Sequence, residues 1–132
     1  MKLSDKLIYP ELSYKITGIL FTTHNELGRF CNEKQYSDTI EGHLKKLEIK
    51  YEREKTLPRS SKYEKEGRNK VDFLIDDKII LEIKAKRLLL KDDYYQVRRY
   101  LSALNERLGL LVNFRDKYIK PRRILNSRAN NL

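Results

Sequence analysis

Cysteine is nearly missing: Cys31 stands alone in 132 residues, so no disulfide can form within the chain. That agrees with a reducing compartment, and the expected localisation is cytoplasmic. His24 and His43 are too few and too far apart for a zinc site. No apolar run reaches the roughly 18 residues a membrane-spanning helix needs. The opening Met-Lys-Leu-Ser-Asp-Lys lacks the apolar core of a signal peptide, so none is expected. Acidic residues are in deficit as well. Nineteen Asp and Glu against 29 Lys and Arg leave a formal charge of +10. Such an excess favours polyanions, nucleic acid first. A membrane surface fits poorly, because no basic segment carries a strong apolar face. No repeat and no linker divides the chain. One domain over 1–132 is expected, with a core over about 9–125 and a frayed tail at 126–132.

The most informative stretch is Val71-Asp-Phe-Leu-Ile-Asp-Asp-Lys-Ile-Ile-Leu-Glu-Ile-Lys84. It reads as a β-hairpin, with strands 71–75 and 79–85 around a turn at Asp76-Asp77-Lys78. A three-residue turn pairs residue 75 with 79 and sets Asp72 opposite Glu82. Cβ atoms of facing residues lie about 4.5–5.5 Å apart, and like charges there repel. Val71, Phe73, Ile75, Ile79, Leu81, Ile83 and Ala85 fill one face; Leu74 and Ile80 share the other with the charges. Strands apolar on both faces are normally covered on both sides. Charges buried there must be paired or hold a metal. A hard divalent cation between the carboxylates would remove the conflict. An Asp72–Lys84 salt bridge would satisfy part of it without any metal. Lys84 points to the face of Glu82, two residues before it.

The rest of the chain supplies the frame. A helix is expected over 11–28, begun near Pro10, ended by Gly28 and buried along Leu12, Ile16, Ile19, Leu20, Thr23 and Leu27. Asn32 and Gln35 form a capping box for a second helix, with stripe Tyr36, Ile40, Leu44 and Leu47. Residues 48–57 alternate as a half-exposed antiparallel strand, and 58–70 form a mobile, basic loop. Asp92 or Asp93 caps a helix running to about Arg107, with stripe Val97, Leu101, Leu104 and Leu108. Leu110 to Phe114 is a short buried strand; Pro121 confines any strand over 119–125 to an edge. The first three strands should form a meander, and the helix after them a crossover to a parallel strand. The expected fold is an α/β sandwich, a mixed central sheet with helices on both faces.

Five stretches stand in a telling order: Leu27-Gly-Arg-Phe-Cys-Asn-Glu-Lys-Gln-Tyr36, Val71-Asp-Phe-Leu-Ile, Ile79-Ile-Leu-Glu-Ile-Lys84, Gln96-Val-Arg-Arg-Tyr-Leu101 and Leu108-Gly-Leu-Leu-Val-Asn-Phe114. Together they resemble the restriction-endonuclease-like PD-(D/E)xK superfamily, and within it the GxxExxY family. The likeness runs from about Tyr9 to Leu125, and Phe30 stands where the family name has glycine. The resemblance implies metal-dependent hydrolysis of nucleic acid, DNA or RNA; DNA is the substrate we favour. It implies Mg²⁺ or Mn²⁺ on Asp72, Glu82 and the main-chain carbonyl of Ile83, with Glu33 reaching the ion through water. Lys84 would stabilise charge on the phosphate, and Gln96 would hold a water or a phosphate. Glu33 has a plainer reading too, since an acid in a first helical turn is favoured by the helix dipole. Arg68, Lys70, Lys86, Arg87, Lys91, Arg98 and Arg99, with Arg59 and Lys62, would flank the site and hold the backbone. Tyr36, Tyr94, Tyr95 and Tyr100 could stack bases, but core packing suits Tyr36 and Tyr100 better. A partner protein could supply targeting. The alternative is a catalytically silent nucleic-acid-binding or accessory subunit; against it, a binder has no need for a repulsive acid pair.

Overall fold

The computed structural model describes residues 8–59, 61–65, 67 and 69–129. Helix α1 (Pro10–Leu27) opens on proline, whose missing N–H would have no helical partner there anyway. Gly28 ends it at φ 74°, a left-handed value that a residue without Cβ adopts freely. Helix α2 (Glu33–Lys46) carries the expected cap. Gln35 N–H donates to Asn32 Oδ1 at 2.8 Å, and Asn32 N–H donates to Gln35 Oε1 at 2.9 Å. Tyr36, Ile40 and Leu44 bury its inner stripe. Leu47 does not join them: it sits one residue past the helix, where the chain turns away through Glu48 at φ 56°, and is exposed.

Strands β1 (Tyr51–Thr56), β2 (Lys70–Ile75), β3 (Ile79–Lys84), β4 (Leu108–Asn113) and β5 (Arg122–Leu125) form one sheet in that order. The first three make an antiparallel meander. Helix α3 (Lys91–Leu104) is the crossover that brings β4 parallel to β3. β5 follows Pro121 and closes the edge antiparallel to β4. Side chains of α1 and α2 cover one face of the sheet, with Phe73, Leu81, Ile83, Val112 and Phe114. Val97, Tyr100 and Leu101 of α3 cover the other, with Leu74, Ile80, Leu111 and Ile124. The architecture is the mixed, doubly covered sheet expected from the sequence. Among the described residues no helix is long and apolar enough to cross a membrane.

Three further local expectations change. Neither Asp92 nor Asp93 is the N-cap of α3; Leu90 holds that position. Asp93 lies in the first turn and reaches back, its Oδ2 accepting the Leu90 N–H at 2.7 Å. The helix stops at Leu104, followed by Asn105 at φ 53°, so Leu108 opens β4 instead of extending the helical stripe. Val71 clusters with Leu74 and Ile80, not with Phe73. Strict alternation fails there because the ladder is interrupted: Asp72 has a Cα partner on neither side, and Glu54, across on β1, takes φ 54°. The expected frayed tail lies partly outside the described residues, at 130–132.

Gly109 sets how closely α3 sits on the sheet. A Cβ added there would lie 2.7 Å from Val97 Cγ1. Val97 is β-branched, with little rotamer freedom on a helix. Gly109→Ala is expected to destabilise the fold by about 1–3 kcal/mol through overpacking. Urea denaturation checks it; an unmoved midpoint would mean that α3 shifts outward without cost.

Candidate active site

The β2–β3 hairpin turns through Asp76 and Asp77, both left-handed, at φ 53° and 55°. Lys78 N–H donates to the Ile75 carbonyl at 3.0 Å, and Ile75 pairs with Ile79. The ladder runs on to Phe73 and Leu81 and stops one pair short of Asp72 and Glu82, whose side chains bridge the two strands instead. The bonding between them is not that of an ordinary ladder. Asp72 N–H donates to Glu82 Oε1 at 2.8 Å, and Ile83 N–H donates to Asp72 Oδ2 at 2.7 Å. Each carboxylate therefore stands in for a main-chain carbonyl of the opposite strand. One oxygen of each acid is spent on this exchange. Glu82 Oε2 lies 4.0 Å from Lys84 Nζ, and no described hydrogen bond uses Asp72 Oδ1.

Burial decides the electrostatics. Glu82 is only 4% exposed. Burial pushes its carboxyl well above the usual range, and the Asp72 charge adds to the rise. Burial raises Asp72 too, against the hydrogen bond from Ile83; Glu33 and Glu54 add to the rise and Lys84 opposes it. Lys84 Nζ donates to Gln96 Oε1 on α3 at 3.0 Å. It makes no described ion pair with Asp72, so the acids are not resolved by the salt bridge that the sequence allowed. Glu33, exposed at the start of α2, lines a cleft of about 570 Å³ with Asp72, Glu54, Ser37 and Arg53. A splayed hairpin holding one buried and one half-buried acid, with a lysine beside them and a helix-borne glutamine on it, thus sits beside an open cleft.

Against known protein families, residues 10–124 match the PD-(D/E)XK nuclease superfamily. The chain belongs to the PD-(D/E)XK nuclease superfamily. No curated protein and no solved structure matches it. PD-(D/E)XK nucleases act on nucleic acid and generally use divalent metal ions. The donor set here can be tested against such an ion. No group of three or more His, Cys, Asp or Glu side chains suited to a metal occurs among the described residues. A caged structural metal is therefore a poor fit. Mg²⁺-type ions, which take one or two carboxylates and keep water or phosphate on the rest, fit the Asp72–Glu82 pair well. Ile83 adds an oxygen to that side: its N–H faces β2, and in a strand the carbonyl of the same residue faces the same neighbour.

Of the basic residues expected around the PD-(D/E)XK site, Lys70, Arg87, Lys91, Arg98 and Arg99 are exposed, as are Arg59 and Lys62. Arg68 lies outside the described residues. Lys86 is not a free phosphate contact: its Nζ donates to both oxygens of Asp93, at 2.9 and 3.2 Å. Gln96 holds Lys84 directly. Tyr36 is core, stacked on Phe114 with ring centroids 4.2 Å apart, its hydroxyl donating to the Gly28 carbonyl at 2.6 Å. Tyr100 is buried too, Tyr94 half-buried and Tyr95 exposed. The sequence reading missed Asn113. It pairs in register with Lys84, its Oδ1 accepts the Lys86 N–H at 3.0 Å, and its Nδ2 donates to the Lys86 carbonyl at 2.7 Å. This side chain fixes the backbone immediately after Lys84. Its only signal was a lone amide ending the apolar run Leu108-Gly-Leu-Leu-Val.

Proposed function

We propose that this PD-(D/E)XK protein is a metal-dependent nuclease hydrolysing phosphodiester bonds, with DNA the favoured substrate and Asp72, Glu82 and Lys84 at its centre. The observation that supports this most is the opposed acid pair, each carboxylate fixed by one oxygen to the other strand's backbone with its second oxygen spared. A repulsive pair with one member buried and the other half-buried carries an energetic cost that a cation-binding role explains.

Asp72 and Glu82 would hold Mg²⁺ or Mn²⁺ together with the Ile83 carbonyl. When bound, the ion supplies charge neutralisation at the phosphate and a more acidic water. Lys84 stabilises the charge that builds on the phosphate, and Gln96 positions its ammonium. Glu33 faces the same cleft as Asp72 and acts through water. Lys70, Arg87, Lys91, Arg98 and Arg99 hold the backbone, giving affinity with little sequence choice. The finer kinship we assign is to the GxxExxY family, on Glu33, Tyr36 and the five stretches quoted above. The single cysteine makes cytoplasm the proposed compartment.

The test is a cleavage assay on single- and double-stranded DNA and RNA, with Mg²⁺, Mn²⁺ or EDTA. Cutting should require the ion and stop in EDTA. Binding without cutting on every substrate would make this a nucleic-acid-binding or accessory subunit instead.

A further inference from the structure

Phe30 is 77% exposed, in the connection between α1 and α2, three residues before Glu33. A lone exposed apolar side chain is ordinary. What surrounds this one is not. The guanidinium carbons of Arg29 and Arg115 lie 5.1 and 5.7 Å from the centre of its ring. The two arginines are clipped together: Arg29 Nε donates to the Arg115 carbonyl at 2.8 Å, and Arg115 Nε donates to the Arg29 carbonyl at 3.0 Å. Neither has an ion-pair partner among the described residues. Two like charges are thus held side by side with no acid to balance them, which suits a phosphate.

Their place in the fold joins them to the site. Arg115 follows Phe114, whose N–H donates to the Lys84 carbonyl at 2.8 Å. Arg115 N–H itself leans on Asn113 Oδ1 at 3.3 Å. The cluster therefore stands just beyond Lys84 on one side and just before Glu33 on the other.

We propose that Phe30 is a stacking platform for an unpaired nucleobase, with Arg29 and Arg115 holding the adjoining phosphate. The substrate class of the site is then single-stranded or locally opened nucleic acid. This rests on the nucleic-acid reading above, and deepens it. A duplex hides base faces within its own stack, whereas an unpaired base offers one to an aromatic ring. The ring's exposure leaves it room to do so.

The chain has no tryptophan, so Phe30→Trp creates a sole indole reporter. The measurement is emission during titration with oligo(dT), and with the same strand annealed to its complement, in EDTA so that nothing is cut. Single strand should quench the indole and duplex should not. Phe30→Ala should weaken oligo(dT) binding about tenfold, the scale of one lost base–aromatic stack, and leave duplex affinity and melting temperature unchanged. Phe30→Tyr should keep wild-type affinity. Three results would overturn the platform: no quenching, equal loss on both substrates, or wild-type protein that binds no single strand. Cutting that survives Phe30→Ala alongside unaltered binding removes only the platform. Quenching without cutting under any metal condition removes only the nuclease.

Discussion

Lys84→Ala is expected to cut the rate of phosphodiester hydrolysis by about 10²-fold or more, the scale of losing one preorganised charge at a developing anion. The fold should survive. The Lys84 side chain is partly exposed, and water can replace it as the donor to Gln96 Oε1. Nucleic-acid affinity should barely change, because the exposed lysines and arginines proposed to hold the backbone are untouched. The loss should therefore appear in kcat with KM nearly constant, the mark of an interaction made chiefly in the transition state. Gln96→Ala should cost less, since it only loosens the ammonium. Single-turnover cleavage at saturating Mg²⁺ decides the matter. A Lys84→Ala protein that cuts at the wild-type rate removes Lys84 from the chemistry.

A second large effect belongs to the acid pair. Without metal, the protein should become less stable as pH rises from the ordinary carboxylate range toward and past neutrality. Both folded-state pKa values lie above their unfolded values, through burial first, so between them the folded form binds more protons than the unfolded chain. Stability is then full below the unfolded values and is lost as pH climbs through the folded ones. Each unit of displacement corresponds to about 1.4 kcal/mol. Glu33, Glu54, Lys84 and Tyr100 face the pair from α2, β1, β3 and α3 and shape the profile. Comparison with Asp72→Asn and Glu82→Gln isolates the pair itself. Either variant should flatten the curve and be more stable than wild type at pH 8 in EDTA. A divalent ion at about a hundred times its Kd should restore about 2.7 kcal/mol to wild type and nothing to the variants. Thermal melts across pH, with and without Mg²⁺, test both halves. Equal ion-induced shifts in all three proteins would end the metal assignment.

How much could be read in advance follows the range of each interaction. The hairpin was legible because alternation, a polar turn and register are local, and together they bring Asp72 and Glu82 to the same end of the hairpin, where their side chains bridge the strands. The Asn32–Gln35 cap was legible for the same reason. The end of α3 was not, because Leu104 and Leu108 lie at helical spacing on either side of a break that Asn105 makes. Lys86 read as free because nothing local announces that Asp93, seven residues on, folds back onto it. The Arg29–Arg115 clip joins residues 86 apart and leaves no pattern in either segment. The interruption at Asp72 was hidden too, since it depends on Glu54 adopting a left-handed backbone on a neighbouring strand.

Asp72 and Glu82 are also fasteners of the sheet, because each replaces a missing rung of the ladder. That double duty narrows what a lineage can do with the hairpin once cleavage is no longer selected. Alanine at either position would leave a buried N–H of the facing strand with nothing to bond, a penalty of about 1–3 kcal/mol. Asparagine and glutamine would keep the acceptor and shed the repulsion. A silent descendant is therefore expected to drift first to amides at these two sites. Its amides would then be the fossil of an abandoned reaction.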